Sequence, residues 1–237
     1  MTERFFYQDP YATALSATIT AIDGDWVALD RTLFYPQGGG QPGDSGWMAS
    51  PDRARVVVAD TRKGRDGAIW HRLEDGGSDW SAGGRVELEL DWKRRYRHMR
   101  MHTCLHLLGS LIPCGVTGGA VGEQKSRLDF DAGDQRLDKE QLTVQLNELI
   151  EAAHPVQVEW VDESLLDAEP DLVRTMSVEP PRGVGVLRMI RIAGVDYQPC
   201  GGTHVANTSE IGSVRVTKIE NKGKRNRRVQ IAFDETG

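Results

Sequence analysis

Arg85-Val86-Glu87-Leu88-Glu89-Leu90-Asp91-Trp92 runs straight into Lys93-Arg94-Arg95-Tyr96-Arg97-His98-Met99-Arg100-Met101-His102-Thr103-Cys104-Leu105-His106-Leu107-Leu108. In the first half Val86, Leu88, Leu90 and Trp92 alternate with Glu87, Glu89 and Asp91, a period of two that predicts a strand with one polar face. From Lys93 to Ile112 the period becomes helical, with Leu105, Leu108, Leu111 and Ile112 on one stripe and Pro113 ending the run. This change of period divides the chain, and we place the domain boundary there: 1–90 and 91–237.

Upstream, the chain reads as short strands. Leu15, Ala17, Ile19 and Ala21 alternate with Ser16, Thr18 and Thr20, Asp23-Gly24-Asp25 is turn chemistry, and Trp26 to Leu29 resumes a strand. Arg55 to Ala59 and Ile69 to Leu73 add two more, a spacing that favours a small barrel or open sheet. Downstream, a helix is expected from Asp138 as N-cap through Leu142, Leu146, Leu149 and Ile150, ending before Pro155. Strands are expected at 127–130, 156–161, 186–192, 213–219 and 228–233, the last two flanking a basic loop from Asn221 to Asn226. The second half therefore reads as α+β, with helices packed on an antiparallel sheet.

Composition narrows the function classes. The 237 residues carry 35 acidic and 29 basic side chains, a net charge of −6, with 39% hydrophobic and 27% charged residues, as in globular chains. No apolar run approaches the roughly 20 residues of a membrane helix, and the N-terminus has no signal-like segment. Cys104, Cys114 and Cys200 are an odd number without framework spacing, so a reducing, cytoplasmic location is expected. The net acidity hides two basic windows. Lys93, Arg94, Arg95, Arg97 and Arg100 form one, and Lys218, Lys222, Lys224, Arg225, Arg227 and Arg228 form the other, opposed within it only by Glu220. Local patches, not the total, decide phosphate binding.

Three elements carry chemistry. His102 and His106, four apart on the helix, project from one face as two metal ligands must; without a Glu after His102 the pair is not the protease motif. Gln198-Pro199-Cys200-Gly201-Gly202-Thr203-His204 adds a thiolate and an imidazole on a loop that two glycines let fold tightly. Together they offer His102, His106, Cys200 and His204, ligands that Zn²⁺ prefers. Cys104 and Cys114 read as small buried hydrophobes. The third element is the run from Thr32 to Gly46, with Gly38, Gly39, Gly40 and Gln41 at its centre. It has no Gly-Lys-Ser/Thr and precedes no helix, so a nucleoside triphosphate is not expected. It is a tight turn, or a loop that closes over a small ligand with Thr32 or Gln41 as hydrogen-bonding groups.

In this order the elements resemble AlaX, the free-standing alanyl-tRNA editing proteins related to the editing domain of alanyl-tRNA synthetase. Phe34-Tyr35-Pro36 with Gly38-Gly39-Gly40-Gln41 is similar to the family's glycine-rich motif. His102 to His106 and Cys200-Gly201-Gly202-Thr203-His204-Val205 resemble its two zinc motifs, and Lys222 to Arg228 resembles its basic hairpin. With its glycine-rich N-terminal domain the chain resembles the medium-length class. The resemblance implies a β-barrel-like N-terminal domain before an α+β zinc-containing editing domain, and a deacylase clearing chiefly serine, and also glycine, from mischarged tRNA(Ala). It implies that Thr32 recognises the serine hydroxyl, that Gln124 stands near the pocket, and that Lys222, Lys224, Arg225, Arg227 and Arg228 contact tRNA, with Lys93 to Arg97 a second strip. Two rivals stand beside this reading: a zinc hydrolase of a small ester or amide, and a non-catalytic structural-zinc module that binds tRNA.

Overall fold

The computed structural model describes residues 1–51, 53–74, 80–176 and 183–234. The chain divides into two compact units, Met1–Tyr96 and Arg97–Gly237. The division lies a turn or so beyond the 90/91 boundary, because the first turn of the helix is tied into the first unit.

That unit is a closed six-stranded barrel. Its strands are β1 (Ala14–Asp23), β2 (Trp26–Leu29), β3 (Gly46–Ser50), β4 (Arg53–Lys63), β5 (Ile69–Leu73) and β6 (Arg85–Leu90), ordered β1-β2-β5-β4-β3-β6 with β6 closing onto β1. The alternation read in β6 holds: Val86, Leu88 and Leu90 point inward to meet Ala17, Ile19, Val27, Leu29, Met48, Val58 and Leu73. In β1 it breaks at a bulge between Ile19 and Ala21, so Ile22 rather than Ala21 packs toward the core. One extra residue shifts every later side chain to the other face.

Helix α1 (Trp92–Leu111) follows at once. It is not the one-striped helix expected: Met99, Met101, Cys104, Leu105, Leu107 and Leu108 are all buried, as in a helix enclosed on most sides. The second unit then holds two antiparallel sheets where one was expected. The larger is ordered β12-β13-β8-β7, from β7 (Val116–Ala120), β8 (Lys125–Asp131), β12 (Val214–Asn221) and β13 (Asn226–Phe233). The smaller is β9-β10-β11, from β9 (Val156–Asp162), β10 (Val186–Ile192) and β11 (Asp196–Pro199). β10 pairs with β9 on one side and β11 on the other, leaving no ladder position for a strand of the larger sheet. Helix α2 (Lys139–Glu151) starts where Asp138 accepts from the Gln141 amide at 2.8 Å. It buries Leu142, Leu146 and Ile150, and Asn147 bonds both backbone groups of Val214 on edge strand β12. No helix among the described residues is long and apolar enough to cross a membrane.

Candidate metal centre and its surroundings

Helix α1 and the loop after β11 bring four ligand groups together. His102, His106, Cys200 and His204 offer atoms that all lie within 4.8 Å of one another. Cys200 Sγ is 3.6 Å from His102 Nε2 and 3.3 Å from His204 Nε2. A tetrahedral centre with metal–N near 2.0 Å and metal–S near 2.3 Å has an N–S edge of about 3.6 Å, so His102, Cys200 and His204 already stand near ligand spacing, with the His106 ligand atom within 4.8 Å of them. The imidazoles are buried and the thiol half-buried, and the group can hold a metal ion.

The electrostatics agree. Burial opposes a thiolate at Cys200, but the surrounding imidazoles outweigh it and hold the thiol well below its usual 9.0. Burial likewise opposes charge on His106, yet Asp196 and Cys200 raise it to about 10. His204 goes the other way, to about 3, because burial together with the neighbouring imidazoles outweighs the upward pull of Cys200. Cys104, on the same helix, is pushed up to about 12 by burial alone and stays a thiol. Cys114, expected to be buried, is only half-buried, with Sγ donating to Gln135 Oε1.

Four residues that hold the centre escaped the sequence reading. Asp196 takes His106 Nδ1 at 2.8 Å, and Gln198 Nε2 bonds the same carboxylate oxygen. Thr103 Oγ1 meets His204 Nδ1 at 3.1 Å. Arg188 donates Nη1 to the carbonyls of Cys200 and Gly202, clamping the loop backbone that two glycines leave bare. Thr103 lay in view inside the His-x-x-x-His segment. Asp196 and Arg188 are visible only once the β10-β11 hairpin folds back.

The glycine-rich run is tightly strapped within the first unit. Gly39 (φ 55°) and Gly40 (φ 79°) form its tip, with Gly38 and Gln41 exchanging both backbone bonds; two successive positive φ values select glycine. Asp44 Oδ2 accepts from the Tyr35 amide at 2.6 Å and from Arg95, whose guanidinium also donates to Leu33 O and Pro10 O. Arg95 and Asp44 are each 1% exposed. Within the Lys93–Arg97 strip Arg95 is corrected, being interior; Arg94 donates to Gly43 O and Arg97 to Glu123 O while both stay partly exposed, and Lys93 is exposed.

Thr32 has no exposed surface, and Gln41 has none either. His71 Nδ1 donates to Val27 O at 3.1 Å, so its Nε2 must accept the Thr32 hydroxyl proton at 2.8 Å. Thr32 Oγ1 in turn accepts from the Phe34 amide at 3.1 Å. Burial lowers the His71 pKa from 6.5 to about 4, against the opposing pull of Val27. The unfolded imidazole therefore binds its proton near 6.5 and the folded one only near 4. Stability is full above that window and falls as pH is lowered through it, by roughly 3 kcal/mol. Guanidinium unfolding at a series of pH values is expected to show this loss in the native chain and a flatter curve in His71→Gln.

The basic hairpin is less bare than its sequence. Arg228 makes a two-pronged pair with Asp129, at 2.7 and 2.9 Å, and Arg225 another with Asp131, at 2.8 and 3.1 Å. Lys222 lies 3.8 Å from Glu220, and Arg227 donates to Asn226 O. Lys224 stands exposed at the turn. Gln124 is exposed in the turn between β7 and β8.

Comparison with known proteins decides the family. The chain is 33% identical over 233 residues to the alanyl-tRNA editing protein AlaX-M of Saccharolobus solfataricus, covering 97% of this chain and 98% of that protein. The chain belongs to the AlaX family. A second AlaX-M protein, from Methanosarcina barkeri, is 36% identical over 241 residues, with 97% and 98% covered. The alanine–tRNA ligase of Metallosphaera sedula is 34% identical over 232 residues, 92% of this AlaX chain but 25% of the ligase. The profile of the threonyl and alanyl tRNA synthetase second additional domain matches residues 187–230, and that of class II (A) tRNA synthetases matches residues 6–94. The first of these spans Cys200, His204 and the basic hairpin.

Proposed function

We propose that this AlaX chain is a trans-editing deacylase that hydrolyses the ester of mischarged tRNA(Ala), chiefly Ser-tRNA(Ala) and also Gly-tRNA(Ala), with Zn²⁺ as cofactor in the cytoplasm. The observation that carries it is a preassembled three-histidine, one-cysteine cluster in a chain collinear with editing proteins. A synthetase pocket built for alanine cannot exclude glycine by size and rejects serine poorly, so a second site must clear the errors.

His102, His106, Cys200 and His204 would hold the zinc. Bound there, zinc supplies a Lewis acid where a coordination position opens, and a strut for the pocket where all four ligands stay. Cys200 supplies the negative charge, Arg188 keeps its loop in place, and Gln124 is assigned to the rim of the pocket. The glycine-rich loop, Gly38 to Gln41, is assigned to the amino-acid side. With its proton on His71 and one lone pair on Phe34, Thr32 has a single acceptor position left. Serine can donate to it and alanine cannot, and an unmet buried partner costs about 1–3 kcal/mol. Thr32 is unexposed, so reading at that position requires the residues packed around it to open. Lys222, Lys224, Arg225, Arg227 and Arg228 would meet tRNA phosphates, with Asp129 and Asp131 holding two of these guanidinium groups in fixed orientation.

The test is deacylation of Ser-, Gly- and Ala-tRNA(Ala) by zinc-assayed protein across a salt series. Rapid loss of serine with alanine spared is expected, the rate at subsaturating tRNA dropping steeply between about 50 and 200 mM salt as phosphate contacts are screened. Three intact esters beside retained tRNA binding would favour the structural-zinc module. Turnover of a small ester without tRNA dependence would favour the hydrolase.

A further inference from the structure

The imidazoles of His204 and His106 are held from behind by partners that differ in charge. Thr103 donates its hydroxyl proton to Met99 O at 3.0 Å, the back-bond typical of a helical threonine. Toward His204 it can therefore only accept, so His204 Nδ1 carries the proton of the 3.1 Å bond. The Val205 amide also reaches this oxygen, at 3.3 Å, tying the chain beside His204 to the same hydroxyl. Asp196 has no exposed side-chain surface and faces His106 Nδ1 at 2.8 Å. Its other oxygen lies 3.5 Å from Arg174 Nε, and Gln198 donates to the first. Gln198 Nε2 also lies 3.1 Å from His106 Nδ1, but it donates to the nearer carboxylate oxygen at 2.8 Å; a carboxylate accepts and does not donate, so His106 Nδ1 carries a proton as well. Each ring is left with Nε2 to offer, on the side of the Cys200 thiolate.

We propose that Thr103 and Asp196 are positioning residues of the metal centre: they set His204 and His106 in the Nδ1–H tautomer, and their unequal charge ranks the ligands. The carboxylate-backed His106 is the anchoring donor and the hydroxyl-backed His204 the weaker one, since an anionic partner raises the basicity of a ligating imidazole more than a neutral one does. This rests on the zinc reading above.

The experiment is zinc competition against a chromophoric chelator on the full chain, with NMR of imidazole N–H groups in the zinc-loaded protein. Asp196→Asn keeps an acceptor but loses the charge, and is expected to weaken zinc binding by about 10–100-fold. Thr103→Val is expected to weaken it less than Asp196→Asn does and to release the protected Nδ1–H of His204 to solvent exchange while that of His106 stays protected. Thr103→Ser should restore both. Variants that bind zinc as tightly as a zinc-binding native chain, or a serine variant that fails to restore, would overturn the inference alone. A native chain that takes up no zinc overturns the metal reading and this inference together. Unfolding in excess chelator separates a purely structural role, which would lower the stability of the zinc-free chain and leave zinc affinity unchanged.

Discussion

Cys200→Ala is expected to lower zinc affinity by about a hundredfold or more and to abolish deacylation of Ser-tRNA(Ala) with it. Zinc binding in four-ligand sites is worth roughly 10–16 kcal/mol, so one ligand's share is about 3 kcal/mol, or two decades. The true loss is larger than a quarter share, because Cys200 is the one anionic ligand and the imidazoles around it are arranged to stabilise a thiolate. The fold should survive, since the loop is held independently by Arg188 on the Cys200 and Gly202 carbonyls and by Thr103 on Val205. Cys104→Ala is the control: that thiol is buried and stays protonated, so zinc affinity should not move. Chelator competition and circular dichroism on both variants decide the matter. Native-like zinc affinity in Cys200→Ala would remove the cluster from the function.

Arg95→Leu is expected to cost about 3–5 kcal/mol of unfolding free energy, the largest stability effect in the first unit, because it strands the Asp44 carboxylate without its cation. Neither partner has water to turn to, with 1% of each side chain exposed. Leu33 O and Pro10 O lose donors in the same step. Denaturant unfolding of the full chain measures the loss. Removing Asp44 as well, in Arg95→Leu with Asp44→Leu, should recover part of it, since the uncompensated charge is gone and only the Tyr35 amide is newly unpaired. A double variant no more stable than the single one would show that the pair acts through shape rather than charge.

The sites differ in how much of them the chain discloses in one dimension. The spacing of His102 and His106, and of Cys200 and His204, exposes the ligand chemistry, because ligands close in sequence must share a helix face or a tight loop. Asp196 carries no such mark. It lies four residues before Cys200, and only the return of β11 alongside β10 shows that it serves His106, 90 residues away. The basic windows misled in the opposite sense. Lys93 to Arg97 reads as a strip for phosphate contacts, yet Arg95 is sealed in the barrel unit. The C-terminal run appears opposed only by Glu220, yet the β8-β13 register sets Asp129 opposite Arg228.

Sequence alone determined what depends on neighbours along the chain. It set the change from period two to helical period near Trp92, the Asp138 cap, the glycines at the loop tip and the four ligand types. Backbone geometry couples residues a few positions apart, so these are legible without partners. Tertiary structure alone decided which charges neutralise one another, which histidine receives a carboxylate and which a hydroxyl, and that the strands of the second unit form two sheets. Those outcomes depend on contacts between residues up to about a hundred positions apart. Burial makes their energies large, and no local pattern encodes them.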